Sequence, residues 1–285
     1  MIICVLVAYN PVLELLERAV GGLLGQVDYI VIVDNSACSI LNFESENIFV
    51  EALGENIGIA AAQNIGISKA IDMGAEYVLL SDQDTLYPPD YLNNMLPVFK
   101  EFPEACVVVP KFSDSNKKGS DGFISVTPVC FRRIFPESGK HKISQAICSG
   151  KLIRSSTFRT IGLMDERLFI DWVDLEWCWR ARARGFEIIA NADVVIQHQL
   201  GDLSKNMGFR EVNLRSPVRH YYITRNAFYL ALYSRDLDLG HRMNLFIRSF
   251  RYIFGFPLLA RPFPANLKAV MIGFWHGVTA RLGKY

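Results

Sequence analysis

Three times in the first 84 residues, an apolar run stops abruptly in a short polar cluster. Residues 2–8 read Ile-Ile-Cys-Val-Leu-Val-Ala and end in Tyr9-Asn10-Pro11. Residues 29–33 end in Asp34-Asn35-Ser36, and residues 77–81 end in Asp82-Gln83-Asp84. Short, continuous apolar runs suit strands buried on both faces of a parallel sheet. Between them, Leu13, Leu16, Ala19, Val20 and Leu23 recur at helical spacing before Gly25, and residues 60–73 predict a second helix. Residues 48–51 predict one more short strand. This alternation predicts an α/β fold with a mostly parallel central sheet and crossover helices. If the strands are parallel, all three polar clusters fall on one sheet edge, where open α/β sheets bind ligands.

The carboxylates of Asp82 and Asp84 repel each other unless a cation lies beside them. A hard divalent ion, shared with substrate phosphates, resolves that repulsion. An Asx-rich turn after a strand is the plainer alternative. A nucleotide laid across the same edge would meet Asp34 at its base or ribose, with the loop after Ala8, carrying Tyr9 and Asn10, over the base. A turn or helix cap also accounts for Asp34 and Asn35. Residues 56–64, Asn-Ile-Gly-Ile-Ala-Ala-Ala-Gln-Asn, lead from a loop into a helix. Small residues there allow close backbone approach, and a helix N-terminus favours a diphosphate. Asn56, Gly58 and Gln63 are the candidate contacts, and a plain helix start fits nearly as well. Neither a Gly-x-Gly-x-x-Gly fingerprint nor a P-loop is present in this stretch.

Residues 85–104 predict a helix between Pro89 and Pro103, and 106–109 a strand. Residues 111–142 are loop-rich, with room for a small hairpin, and 147–153, containing Ser149-Gly150, regain strand character. An acidic, Trp-rich block follows at 165–180 and continues as a helix ending at Gly185. Asp171 or Asp174 falls near the N-terminus of that helix. The plain reading is an N-cap above core tryptophans. The functional reading is a general base in a pocket walled by aromatic rings for a sugar, with Trp172 and Glu176 on the acceptor side. Residues 186–190 and 194–197 predict strands running to His198, which is either a structural histidine, the commoner role for a lone one, or a metal or phosphate contact at the strand end. Arg219 and Arg225 either meet a diphosphate or pair with acidic groups of the body.

The 285 residues are 51% hydrophobic and 21% charged, enough for one large α/β domain or a domain with an appendage. A net charge of +1 gives no reason to expect nucleic acid. The charge is unevenly spread. Residues 239–285 hold seven Lys/Arg and no Asp/Glu, which leaves 23 Lys/Arg against 29 Asp/Glu, a net of −6, before them. Nine aromatics accompany those basic residues, a composition suited to an anionic membrane surface. Packing on the core or on a second copy in a homodimer is the alternative. Pro257, Pro262 and Pro264 divide this tail into two short helices. None of the six cysteines forms a Cys-x-x-Cys pair, and most sit among apolar neighbours, so most are expected as small core residues of a protein from a reducing compartment. No signal peptide and no membrane span are expected.

In order, Ala8-Tyr9-Asn10, Asp34-Asn35-Ser36, Asn56-Ile57-Gly58-Ile59-Ala60, Ser81-Asp82-Gln83-Asp84, Ser149-Gly150, the block at 169–180 and His198 resemble an inverting family-2 glycosyltransferase with the A-type fold. The resemblance covers residues 1–230 as a catalytic domain and leaves 231–285 as a helical extension. Asp-Gln-Asp followed by Thr, with Ile-Asp-Trp-Val-Asp at 170–174, is similar to bacterial rhamnosyltransferases that use dTDP-L-rhamnose. Those enzymes build O-antigen of lipopolysaccharide or other cell-surface polysaccharides on polyprenyl-diphosphate carriers, at the cytoplasmic face of the membrane. The resemblance implies that Asp84 holds Mg²⁺ or Mn²⁺ on the donor diphosphate. Asp82 then lies beside the ribose or metal, Gln83 contacts the nucleotide sugar, and His198 is near the metal. Ser149 and Gly150 fall on the acceptor side. Asp174 aligns with the family's base, which usually follows Glu; here Val173 holds that position, so Asp171 stays an alternative. Two other functions remain: a nucleotidyltransferase, which would need a basic glycine-rich loop that residues 8–11 do not provide, and a non-catalytic glycan-binding or scaffold protein.

Overall fold

The structure, a computed structural model, describes all residues except 114–121, 127–130, 199–203, 207–210 and 214. At residues 126, 131, 198, 204–206 and 211–213 it describes the backbone alone. The strands are β1 (Ile2–Ala8), β2 (Tyr29–Asp34), β3 (Ile48–Ala52), β4 (Tyr77–Asp82), β5 (Thr85–Leu86), β6 (Ala105–Ser113), β7 (Phe123–Val126), β8 (Phe131–Ile134), β9 (Lys140–Ile143), β10 (Lys151–Arg154), β11 (Glu187–His198), β12 (Ser204–Asn206) and β13 (Glu211–Asn213). The α-helices are α1 (Leu13–Leu23), α2 (Ile59–Asp72), α3 (Tyr91–Met95), α4 (Val98–Glu101), α5 (Phe158–Ile161), α6 (Val173–Ala183), α7 (Pro217–Tyr233), α8 (Leu239–Leu259) and α9 (Phe263–Val278).

The main sheet runs β3-β2-β1-β4-β10-β6-β11-β5, with β9 beside β11. β1 pairs in parallel with β2 and β4, and β2 with β3, as the apolar runs predict. Alternate residues of β1 serve opposite faces. Ile3, Val5 and Val7 pack with Ala60 and Ile67 of α2 and Trp177 of α6, while Cys4, Leu6 and Ala8 pack with Leu16, Val20 and Leu23 of α1 and Tyr91 of α3. Burial on both faces is why these strands read as unbroken apolar runs.

Four local expectations differ from the structure. The helix expected over 85–104 is two short helices, α3 and α4, separated at Pro97, which has no N–H to continue the first. The strand expected from 147 begins only at Lys151. Gly150 turns at φ +69°, and a Cβ there would lie 2.8 Å from Pro110 Cγ and 2.9 Å from Ile196 Cδ1. β10 then enters antiparallel between β4 and β6, so the sheet is mixed, though mostly parallel. Residues 186–190 and 194–197 join in one strand, β11, whose register shifts between Asn191 and Val195. Pro257 does not divide the tail, because α8 runs through it and ends at Leu259. The small hairpin is present as β7–β8. α7 packs against both α8 and α9. No helix among the described residues is long and apolar enough to cross a membrane.

Candidate active site

The three strand ends are tied to one another. Asn35 N–H donates to Ala8 O at 2.8 Å, Asn10 N–H to Ser36 Oγ at 2.8 Å, and Tyr9 N–H to Gln83 Oε1 at 2.7 Å. Asn35 also reaches the loop before α2, donating to Asn56 Oδ1 at 3.1 Å and accepting from Ile57 N–H at 2.8 Å. These bonds fix the loops and leave one conspicuous acceptor. Asp34 is fully buried; its Oδ1 accepts from Ser36 N–H at 3.0 Å, but its Oδ2 has no partner. A buried carboxylate oxygen without a donor costs stability, unless a ligand N–H or O–H completes it.

The start of α2 is not open to a diphosphate in the way the sequence suggests. Ile59 N–H donates to Phe169 O at 2.8 Å, and Ala60 N–H points to the same oxygen at 3.5 Å. Gly58, at φ +92°, admits Phe169 rather than a ligand, since a Cβ there would lie 2.6 Å from Phe169 Cδ2. Asn56 Oδ1 accepts from Gly58 N–H at 3.0 Å, closing the turn. Gln63 is buried under the site. It donates to Cys148 Sγ at 3.0 Å, and its Oε1 lacks a partner.

At the end of β4, Asp82 Oδ2 accepts a hydrogen bond from Ser149 Oγ. Two residues on, Lys151 is fully buried with its Nζ 3.6 Å from Asp174 Oδ1. Ser149, Gly150 and Lys151 thus bridge Asp82 on the sheet to Asp174 in the first turn of α6. Asp174 Oδ1 is buried with no hydrogen-bond partner, while the side chain as a whole stays 23% exposed. Burial pushes the Asp174 carboxyl above the usual carboxylate range; Lys151 opposes this and Asp82 adds to it. A carboxylate raised toward neutrality is a better proton acceptor than a solvated one. Beyond Asp84, β5 pairs Thr85 with His198 and Leu86 with Gln197. The His198 main chain therefore lies next to the Asp82–Asp84 turn, while its side chain lies outside the described residues.

The other carboxylates of the acidic block have different partners. Phe169, Asp171 and Trp172 all have positive φ (65°, 62° and 69°), and α7 holds this bent segment. Arg219 donates to Asp171 through Nη2 at 2.7 Å and Nε at 3.2 Å, and Arg215 approaches at 3.5 Å. Asn226 Nδ2 reaches the carbonyls of Leu168, Ile170 and Asp171 at 2.9–3.0 Å. Glu176 takes two bonds from Arg180, at 2.7 and 2.9 Å, and is not free to meet an acceptor. The expected aromatic pocket is also corrected. Trp177 and Trp179 are core residues whose N–H groups go to Gly162 O and Gln145 Oε1, and the half-buried Trp172 donates to Ile223 O at 3.0 Å. Arg225 is fully buried and bonds Asn226 Oδ1 and the carbonyls of Arg167, Leu168 and Gly283, so the structure does not present it to a leaving group. Sequence reasoning missed Lys151, although a lysine inside an apolar strand pattern was the available signal. It also missed Asn226 and Phe169, which nothing local marks.

No cluster of three or more His, Cys, Asp or Glu able to hold a metal occurs among the described residues. Asp82 and Asp84 supply two carboxylates at the edge, a donor set that fits a hard divalent ion completed by substrate phosphate and water.

The family model described as Glycosyl transferase family 2 matches residues 3–162, more than half of the chain. This chain is a family-2 glycosyltransferase. The glycosyltransferase is 34% identical over 235 residues to dTDP-rhamnosyl transferase RfbF of Shigella flexneri, covering 80% of this chain and 79% of that protein. It is 25% identical over 271 residues to the low-salt glycan biosynthesis hexosyltransferase Agl10 of Haloferax volcanii, covering 89% and 84%. Among solved structures, S. aureus TarS 1-349 in complex with UDP-GlcNAc is similar in fold, with a TM-score of 0.61, 19% identity, and coverage of 97% of this chain and 81% of that one. GalNAc-T7 with UDP, GalNAc and Mn²⁺ gives a TM-score of 0.58 at 13% identity, covering 90% of this chain and 56% of that one.

Proposed function

We propose that this glycosyltransferase moves L-rhamnose from dTDP-L-rhamnose to a hydroxyl of a saccharide acceptor, with inversion at the anomeric carbon. The observation that carries the chemistry is the bridge from Asp82 through Ser149 and Lys151 to Asp174, which sets a raised carboxylate beside the strand-end aspartates. The choice of donor rests on the 34% identity to the Shigella enzyme.

In this reading, Asp34 Oδ2 takes an N–H or O–H of the nucleoside, and Tyr9 and Asn10 flank the base. Asp82 and Asp84 would hold Mg²⁺ or Mn²⁺, with His198 a further candidate ligand, and an ion held there would offset charge on the departing diphosphate. Asp174 accepts the acceptor hydroxyl proton as that oxygen bonds to the anomeric carbon, and the bond from that carbon to the diphosphate oxygen breaks. Asp171 is the weaker choice of base, because Arg219 and Arg215 occupy its oxygens. Incubation with dTDP-rhamnose and a panel of other NDP-sugars tests the reading. Selective release of dTDP, lost with EDTA and restored by Mg²⁺ or Mn²⁺, is expected. Preference for another donor would replace the sugar assignment, and full activity in metal-free protein would remove the ion.

The acceptor is read as a lipid-linked oligosaccharide of O-antigen or another cell-surface polysaccharide, met at the cytoplasmic face of the membrane. Leu239, Met243, Ile247, Phe254 and Leu258 form an exposed stripe along α8, and Leu267, Met271 and Trp275 another along α9. Seven cations and no carboxylates accompany them in residues 239–285. Phe254→Ser with Leu258→Ser should release the protein from vesicles containing phosphatidylglycerol. Retained vesicle binding, or a loss of dimer in sedimentation instead, would assign the stripe to another surface or to a second copy.

A further inference from the structure

We propose that Lys151 is a positioning residue for the transfer: its buried ammonium holds the inner oxygen of Asp174, which fixes the aim of the base and keeps it charged. The inference rests on Asp174 being the base. Lysine is almost never fully buried unless it is paired, and Lys151 is fully buried. Its Nζ lies 3.6 Å from Asp174 Oδ1, 3.5 Å from Asp174 O and 3.7 Å from Cys178 Sγ, with the Trp177 ring centroid 5.9 Å away. Residues on both sides lock it in place. Gly150 makes the turn before it, and Leu152 and Ile153 after it are core residues paired to β4 and β6.

The groups around the pair decide which one balances the charge. Asp174 and Cys178 face Lys151 from α6, Cys148 from the segment before β10, and Cys106 from β6; Asp82 acts on Asp174 from β4. Burial pushes all three thiols up, so they are neutral near pH 7. Asp174 is then the anion that matches the ammonium. Burial alone pushes Lys151 down, whereas Cys178, Asp174 and Cys148 push it up; with the thiols neutral, Asp174 carries that opposition. The geometry divides the carboxylate: Oδ1 is buried and turned to Lys151, and the remaining exposure of the side chain lies away from it. A lysine that served packing alone would not need to meet the base.

The test is Lys151→Met, assayed as kcat against pH with saturating donor. Without the ammonium, the carboxyl is freer to hold its proton, so the acid limb should move to higher pH by about one unit or more. At pH values below the acid limb, kcat should fall about 10-fold per unit of that shift, while the pH-independent plateau and the donor KM should each stay within about 2-fold. An unmoved acid limb in folded protein would overturn the proposal. A thermal cycle with Asp174→Asn adds a readout that needs no turnover. Asp174→Asn alone leaves a buried ammonium unmatched and lowers the thermal midpoint; adding Lys151→Met should recover most of that loss. Additive losses, or a double variant as insoluble as Lys151→Met alone, would count against the pairing. Recovery of the midpoint without turnover on any NDP-sugar would instead sink the functional reading and leave the pair standing.

Discussion

The sheet edge and the helix α7 treat buried polar groups in opposite ways. At the edge, Asp34 Oδ2, Gln63 Oε1 and Asp174 Oδ1 are all buried with no hydrogen-bond partner. Along α7, Arg225 and Asn226 are just as buried, yet between them they bond the carbonyls of residues 167, 168, 170, 171 and 283. His220 likewise uses both ring nitrogens, on Asn266 Oδ1 and Arg215 N–H. Unmet hydrogen-bonding capacity costs free energy in the resting protein, and at the sheet edge Asp34 Oδ2 is an acceptor left for a ligand N–H or O–H to complete. Saturated capacity marks what holds the chain in shape. Asp171 and Asp174 stand three residues apart on opposite sides of this divide: Arg219 and Arg215 occupy one, while the other meets a backbone N–H at Cys148 and, at 3.6 Å, the ammonium of Lys151.

Substitutions can break that comparison. Asp174→Asn should have the largest effect, lowering kcat by about 10²–10⁴-fold while calorimetry still detects donor binding; turnover within a few-fold of wild type would remove Asp174 from the chemistry. Asp34→Ala should raise the donor KM about 10-fold or more through loss of a buried acceptor, with a smaller change in kcat. If kcat fell and KM did not, the unpartnered oxygen would serve something other than the nucleoside. Asn226→Leu should destabilise the fold by about 1–3 kcal/mol in denaturant unfolding, because three carbonyls of the bent segment lose their donor. Its loss of activity should follow its loss of folded protein. Glu176→Gln should change least, with kcat within about 3-fold of wild type, since its carboxylate serves Arg180. A large kcat loss there would blur the division between the two regions.

The sequence made the sheet edge legible because each of its strands is a local apolar run that ends in its own polar cluster. Strand direction then brings the clusters together without any knowledge of distant contacts. Gly58 shows where local reading fails. Its small size and its position before a helix suggest an anion site, but the space is taken by Phe169, 111 residues away. The same holds for the acidic block. Choosing between Asp171 and Asp174 requires knowing that Arg215 and Arg219 arrive from α7 and its approach, and that Lys151 arrives from an antiparallel strand. Trp177 and Trp179 carry no local sign of which face of α6 meets the core. Lys151 was readable as an anomaly, a charge within a strand pattern, but its partner was not.

The most direct measurement is a structure of the protein with dTDP and Mn²⁺ bound. The account predicts the diphosphate and ion at Asp82 and Asp84, the thymidine against Asp34, and Asp174 facing the same space across Ser149. A nucleotide bound elsewhere, or Asp174 shielded from it by intervening chain, would contradict the account.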